Sequence, residues 1–198
     1  FGSAGGVPAP GFLYTRRMQH PFFWLHPGAL ARLLAVLTAL LLVLSAWLLE
    51  LDQTLVNEQV PRGIISFELA GDIDNAARIL AAWSAPQGEQ AMFIQGLDNL
   101  YLLVYPSWLA LALTLLAGGL GERARRAAAA MGWLVLLAVP LDLVENYALL
   151  QQLRHGASNS WAMLALACAA PKFALVLLAA ASCAGLGIAR LLKRLGKA

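Results

Sequence analysis

Four long apolar stretches, parted by clusters of charge, run through this 198-residue chain, and acidic residues with one lysine sit inside two of them. A helix needs about 20 mostly apolar residues to cross a hydrocarbon core of about 30 Å. Residues 29–49, 97–117, 127–150 and 161–188 each satisfy that length. The composition agrees: 60% of the residues are hydrophobic and 13% charged, against roughly 45–50% and about 25% in an ordinary soluble domain. A soluble core this apolar would lack the polar surface to cover it. The first stretch is too long for a signal peptide, and Trp47-Leu48-Leu49-Glu50-Leu51-Asp52 offers no small-residue cleavage site.

Charge placement predicts the orientation. Arg16, Arg17 and Arg32 flank the start of the first stretch, and Arg123, Arg125 and Arg126 lie between the second and third. Arg190, Lys193, Arg194 and Lys197 follow the fourth, so ten of the 14 basic residues fall on one side. The other side carries Arg62, Arg78 and Arg154 among Glu50, Asp52, Glu58, Glu68, Asp72, Asp74 and Glu89. Basic loops stay in the cytoplasm, so both termini are expected there. Trp47 and Trp161 would mark the outer interface and Trp24 and Trp133 the inner one. Residues 1–28 then form a cytoplasmic or interfacial segment, 29–188 the membrane domain and 189–198 a basic tail. Phe1-Gly2-Ser3-Ala4-Gly5-Gly6 reads as a processed end or a non-native addition. A net charge of +3 gives no reason to expect nucleic acid.

The outer connection, 51–96, is too long for a bare loop. Asp72 can N-cap a helix over 73–83, with Ile73, Ala76, Leu80 and Trp83 on its apolar face. Pro86 suits the first turn of a further helix leading into the second span. Between Gly63 and Ala70 the pattern allows either strand or helix.

A charge in hydrocarbon is costly and usually faces a partner, a cavity or a substrate path. Asp142, Glu145 and Asn146 share one helical face. At 1.5 Å per residue Asp142 lies about 13 Å below the outer end of its span, and Lys172 about 16 Å deep in the next. A lysine stem can snorkel far enough for the two charges to meet. Asp98, Tyr101 or Leu102, and Tyr105 share a face in the same half, and Thr38, Ser45 and Asp52 form a stripe on the first span. One ammonium cannot neutralise Asp98, Asp142 and Glu145, so at least one acid is expected to be protonated, hydrated or paired with a molecule from outside the chain. Glu68 would join them if its segment folds back over the bundle mouth. Pro106, Pro140 and Pro171 each free a carbonyl near these groups, at Leu102, Leu136 and Ala167, which suggests a bundle that opens in this half.

Other candidates carry less. Cys168 and Cys183 stand 15 residues apart on one span, about 22 Å along a helix, too far for a disulfide. His20, His26 and His155 show no metal-ligand spacing. Ser66, Ser84 and Ser160 lack a histidine and base at triad spacing, and Gly118-Gly119-Leu120-Gly121 reads as a helix connection. Tyr101, Tyr105 and Tyr147 are amphipathic enough to be packing residues, with Tyr105 also on the site face.

Phe67-Glu68-Leu69-Ala70, Ile79-Leu80 with Trp83, Leu97-Asp98 with Tyr105, and Asp142-Leu143-Val144-Glu145-Asn146 with Lys172-Phe173 resemble motifs of an uncharacterised family of bacterial four-helix integral membrane proteins. The resemblance covers most of the chain after Gly63. It implies a four-span design in a bacterial inner membrane and no activity. Asn99 departs from it, standing where an aromatic or aliphatic residue would follow Asp98.

The expectation is an all-α bundle of four transmembrane helices, both termini cytoplasmic, with a small amphipathic helical cap on the outer side. Its leading function is an acid-rich cavity in the outer half that binds an amphiphilic or lipid-like ligand. Glu68, Asp98, Tyr105, Asp142, Glu145, Asn146 and Lys172 would line it. Acid–base chemistry would fall to Asp142, Glu145 and Lys172, with no metal or cofactor. Membrane lipids are the expected surroundings, and a second copy or another membrane protein a packing partner. A scaffold subunit whose buried ion pairs only fix helix register and a proton- or ion-coupled transporter are the alternatives.

Overall fold

The structure, a computed structural model, describes residues 19–196. Arg16, Arg17 and Lys197, which contribute to the expected orientation, lie outside them. Seven helices make up the described part: α1 (Pro27–Gln53), α2 (Ile64–Glu68), α3 (Ile73–Ala82), α4 (Ala85–Ala117), α5 (Glu122–Leu136), α6 (Ala138–His155) and α7 (Asn159–Leu195). Helices α1, α4, the α5–α6 pair and α7 are each long and apolar enough to cross a membrane. On α1 only Leu30 and Leu44 are buried, while Leu42, Val43 and Leu49 stand more than 60% exposed. Water would not tolerate that apolar surface on one helix. These are the proportions of a multi-pass membrane protein.

The third span departs from the expected single rod over 127–150. It is two helices joined at Leu137, whose N–H reaches back only three residues to the Leu134 carbonyl at 3.0 Å. The cause is Pro140 in the first turn of α6: its ring has no N–H for the Leu136 carbonyl and crowds it. Helices α4 and α7 run on through Pro106 and Pro171 without a break. The fourth helix also continues past residue 188 to Leu195. There Arg190 and Lys193 donate to the Leu115 and Gly119 carbonyls at 2.5 and 2.6 Å. Cations thus meet the free carbonyls at the C-terminal end of α4.

At the opposite end the 51–96 connection folds as α2, α3 and the first turns of α4, which begins at Ala85. Asp72 caps α3 as expected, accepting the Asn75 N–H at 2.7 Å. The buried face of α3 is Ala76 and Ile79, ending at Trp83, whereas Ile73 is exposed. Ile73 sits in the first turn, and the face that meets the bundle is turned one step past it. Gln87 ties the ends of α1 and α4 together: its Oε1 accepts the Ser84 N–H at 2.9 Å and its Nε2 donates to the Thr54 carbonyl at 2.7 Å.

Five residues cannot hold a helix by themselves, so α2 depends on its setting. Phe67 is fully buried against Trp83, with ring centroids 5.6 Å apart, and the Trp83 indole donates to the Leu55 carbonyl at 2.9 Å. Asp52 at the end of α1 accepts the Ile64 N–H at 2.7 Å. Gly63 makes the turn into α2 with φ 50°, and a Cβ there would strike the Asp52 carboxylate. Gly63→Ala should therefore cost about 1–3 kcal/mol, as a strained backbone position does, read as the shift in denaturant midpoint in neutral-detergent micelles. A cost near zero would show that α2 is not pinned there.

Candidate functional site

Lys172, near the middle of α7, ends among carboxylates drawn from two other helices. Its Nζ lies 2.8 Å from Asp142 Oδ1, 2.8 Å from Glu145 Oε2 and 3.8 Å from Glu68 Oε2. Asp142 and Glu145 sit on one face of α6, 1% and 0% exposed, and Lys172 is 5% exposed. The second Asp142 oxygen accepts the Tyr105 hydroxyl at 2.8 Å. Only the Asp142 contact has hydrogen-bond geometry toward Lys172. Glu145 is an ion-pair neighbour whose two oxygens have no hydrogen-bond donor among the described residues. Asn146, one residue on, donates Nδ2 to Asp98 Oδ2 at 2.8 Å and so ties α6 to α4.

Glu68 reaches this group because α2 packs against α6 and α7, with Phe67 anchored on Trp83. Burial pushes the Glu68 carboxyl well above the usual carboxylate range. The Lys172 charge opposes that rise, and Glu145, Asp98 and Asp142 add to it. The stripe expected on α1 also turns inward. Thr38 Oγ1 accepts the Trp108 indole N–H at 2.8 Å, and Ser45 shares a hydrogen bond of 2.9 Å with the Tyr101 hydroxyl.

A cleft opens beside these residues. Helix α1 packs along α4 and has little contact with α7, and the space between is a cavity of about 410 Å³. Its polar part is formed by Glu68, Asp98, Tyr101, Tyr105, Asp142 and Lys172 and its apolar part by Leu41, Trp108, Leu109 and Val176, with the Phe173 ring 4.8 Å from the Lys172 ammonium between them. A second lobe of about 400 Å³ shares Ile65, Glu68, Asp98 and Tyr101 with the first. It runs toward Leu48, Leu49 and Gln95. Both volumes are in the range of small-molecule sites, about 300–1,000 Å³.

The structure thus brings together all seven residues predicted from sequence. Glu68, Asp98, Tyr105, Asp142 and Lys172 line the cleft, while Glu145 and Asn146 stand behind them. Among the described residues no group of three or more His, Cys, Asp or Glu side chains is arranged to hold a metal ion. His155 ends α6 at the surface, and Cys168 and Cys183 are unpaired thiols. Two buried amides escaped the sequence reading. Gln95 and Gln152 are 2% and 0% exposed, and neither amide has a hydrogen-bond partner among the described residues. Gln95 stands three residues before Asp98 on the same face of α4, and Gln152 seven after Glu145 on α6. The spacing rule that selected the acids would have found both.

No protein-family model matches this chain, and no curated protein or solved structure does either.

Proposed function

We propose that this protein sits in a bacterial inner membrane with both termini cytoplasmic, and that its cleft binds an amphiphilic, lipid-like molecule. The helical segments α2 and α3 would then cap the outer end. The orientation draws on the basic residues at the α4–α5 turn and the end of α7, and on the acids around α2 and α3. The bacterial setting draws on the resemblance noted above.

One observation carries the ligand reading. A single cleft has carboxylates and an ammonium at one end and only apolar or aromatic side chains at the other, between two helices that scarcely touch. An amphiphile could slide in sideways from the bilayer, its chain along Trp108, Leu109 and Val176 and its head toward Glu68 and Asp98. Asp142 and Lys172 reach the cleft surface, so a proton could pass between them and a bound head group; acid–base chemistry would use that pair, with Glu145 behind it.

The transporter alternative needs a polar route to the other end of the bundle. Leu109, Ala110, Leu113, Ala117, Ala128, Val135 and Ala179 form an apolar cluster across that path, which weighs against it. The scaffold alternative gains from the Lys172–Asp142–Glu145 group, compact enough to fix helix register alone. Native mass spectrometry of protein released from a neutral detergent separates the readings. Binding predicts one retained amphiphile per chain. A chain that is bare, or that brings only a partner protein with it, would sink the proposal.

A further inference from the structure

Within the cleft the charges are unevenly spent. The Lys172 ammonium is taken up by Asp142 and Glu145, each at 2.8 Å, and Tyr105 occupies the other Asp142 oxygen. Glu68 and Asp98 are left facing both lobes. Among the described residues the cation near Glu68 is the Lys172 ammonium, 3.8 Å away, and the Glu145 carboxyl also lies beside it. Asp98 accepts from Asn146 through Oδ2 and has no donor on its other oxygen among the described residues. Among the described residues no basic side chain other than Lys172 lines either lobe. A third group, Gln95, is 2% exposed, lines the second lobe beside Asp98, and has neither amide atom paired. A buried amide without partners is costly, so the lobe calls for a molecule that can hydrogen-bond to it. The rings of Tyr101 and Tyr105, with centroids 5.3 Å apart, border the first lobe, and Tyr101 borders the second as well; aromatic faces attract cations.

Resting on the amphiphile reading above, we infer that the head group taken by this cleft is a primary ammonium, seated between Glu68 and Asp98 on a chain that follows the apolar wall. Its N–H donors match the Glu68 and Asp98 oxygens and the Gln95 carbonyl oxygen, and its charge favours the ionised form of both acids. A phosphate or carboxylate head would meet Glu68 and Asp98, and among the described residues the cation at the cleft, Lys172, is already ion-paired. A hydroxyl head could bond to Gln95 but would leave the negative charge as it stands.

The test compares dodecylamine, dodecanol and dodecyl phosphate at equal mole fraction in neutral-detergent micelles at pH 7, where the amine is cationic. Occupancy per chain is read by native mass spectrometry. The amine should bind at least 10-fold more tightly than the alcohol, with the phosphate weakest. In the Glu68→Gln/Asp98→Asn double variant the amine should fall to within about threefold of the alcohol. An alcohol or phosphate that equals the amine on the unaltered protein overturns the head-group assignment and leaves the amphiphile cleft standing. Failure of all three chains to bind overturns both. The comparison on the unaltered protein stands even if the double variant does not fold.

Discussion

Lys172→Met should destabilise the protein by about 3–5 kcal/mol, the range found when one member of a buried ion pair is removed. The loss would be seen as a fall in unfolding free energy in micelles, followed by tryptophan fluorescence. The methionine keeps much of the stem's packing, so little of the effect comes from lost volume. Nearly all of it comes from the carboxylates left behind. Asp142 and Glu145 are 1% and 0% exposed and lie three residues apart on one helix. Their charges would repel each other, and neither is exposed enough to be fully hydrated.

The same argument gives the sign of the coupling. Asp142→Asn/Glu145→Gln combined with Lys172→Met replaces the charged set with a neutral one. The triple variant should therefore be more stable than Lys172→Met alone, because no uncompensated charge remains buried. Asp98→Asn is a useful contrast. It keeps an acceptor for Asn146 and removes charge from an acid-rich site, so a change within about 1 kcal/mol is expected. If Lys172→Met costs less than about 1 kcal/mol, the carboxyl groups carry little charge in the folded protein and the ion-pair account fails.

Much of this arrangement could be read from residue spacing, because helices make spacing geometric. Asp142, Glu145 and Asn146 fall on one face by count alone, and so do Thr38, Ser45 and Asp52. Hydrophobicity locates the four long helices for the same reason: a span must be both long and apolar. The position of Glu68 is another matter. Nothing local makes α2 helical, and a helix of five residues is held by contacts remote in sequence. Asp52 holds its first N–H and Trp83 packs on Phe67. The joint at Leu137 lay between these cases. Pro140 marked the place, yet Pro106 and Pro171 sit in helices that continue, and only the packing decides which proline interrupts its helix. A cavity near the acids was expected, but its place between α1 and α7 was the least legible feature. It exists because α1 leans on α4 and leaves α7 alone, and pairing between helices leaves no trace in the composition of either.

Val176→Trp should reduce binding of a dodecyl amphiphile about 100-fold while leaving the fold intact. Val176 lines the apolar end of the first lobe opposite Leu41 and Trp108, and an indole in its place would occupy the path of the chain. Each buried methylene contributes about 0.8 kcal/mol. Excluding the last three or four methylenes therefore removes roughly 3 kcal/mol, which is two powers of ten in affinity. Leu177→Trp is the matched control: Leu177 is 68% exposed, on a part of α7 that faces away from the bundle, so the same side chain added there should leave affinity unchanged. Trp108 argues that the wall is firm enough for the test, since Thr38 on α1 holds its indole in place across the helix pair at 2.8 Å. Equal binding by both variants would mean that the chain does not lie along this wall. The head would then be bound at Glu68 and Asp98 with its chain in the second lobe, beside Leu48 and Leu49, and Leu48→Trp would be the substitution that abolishes binding.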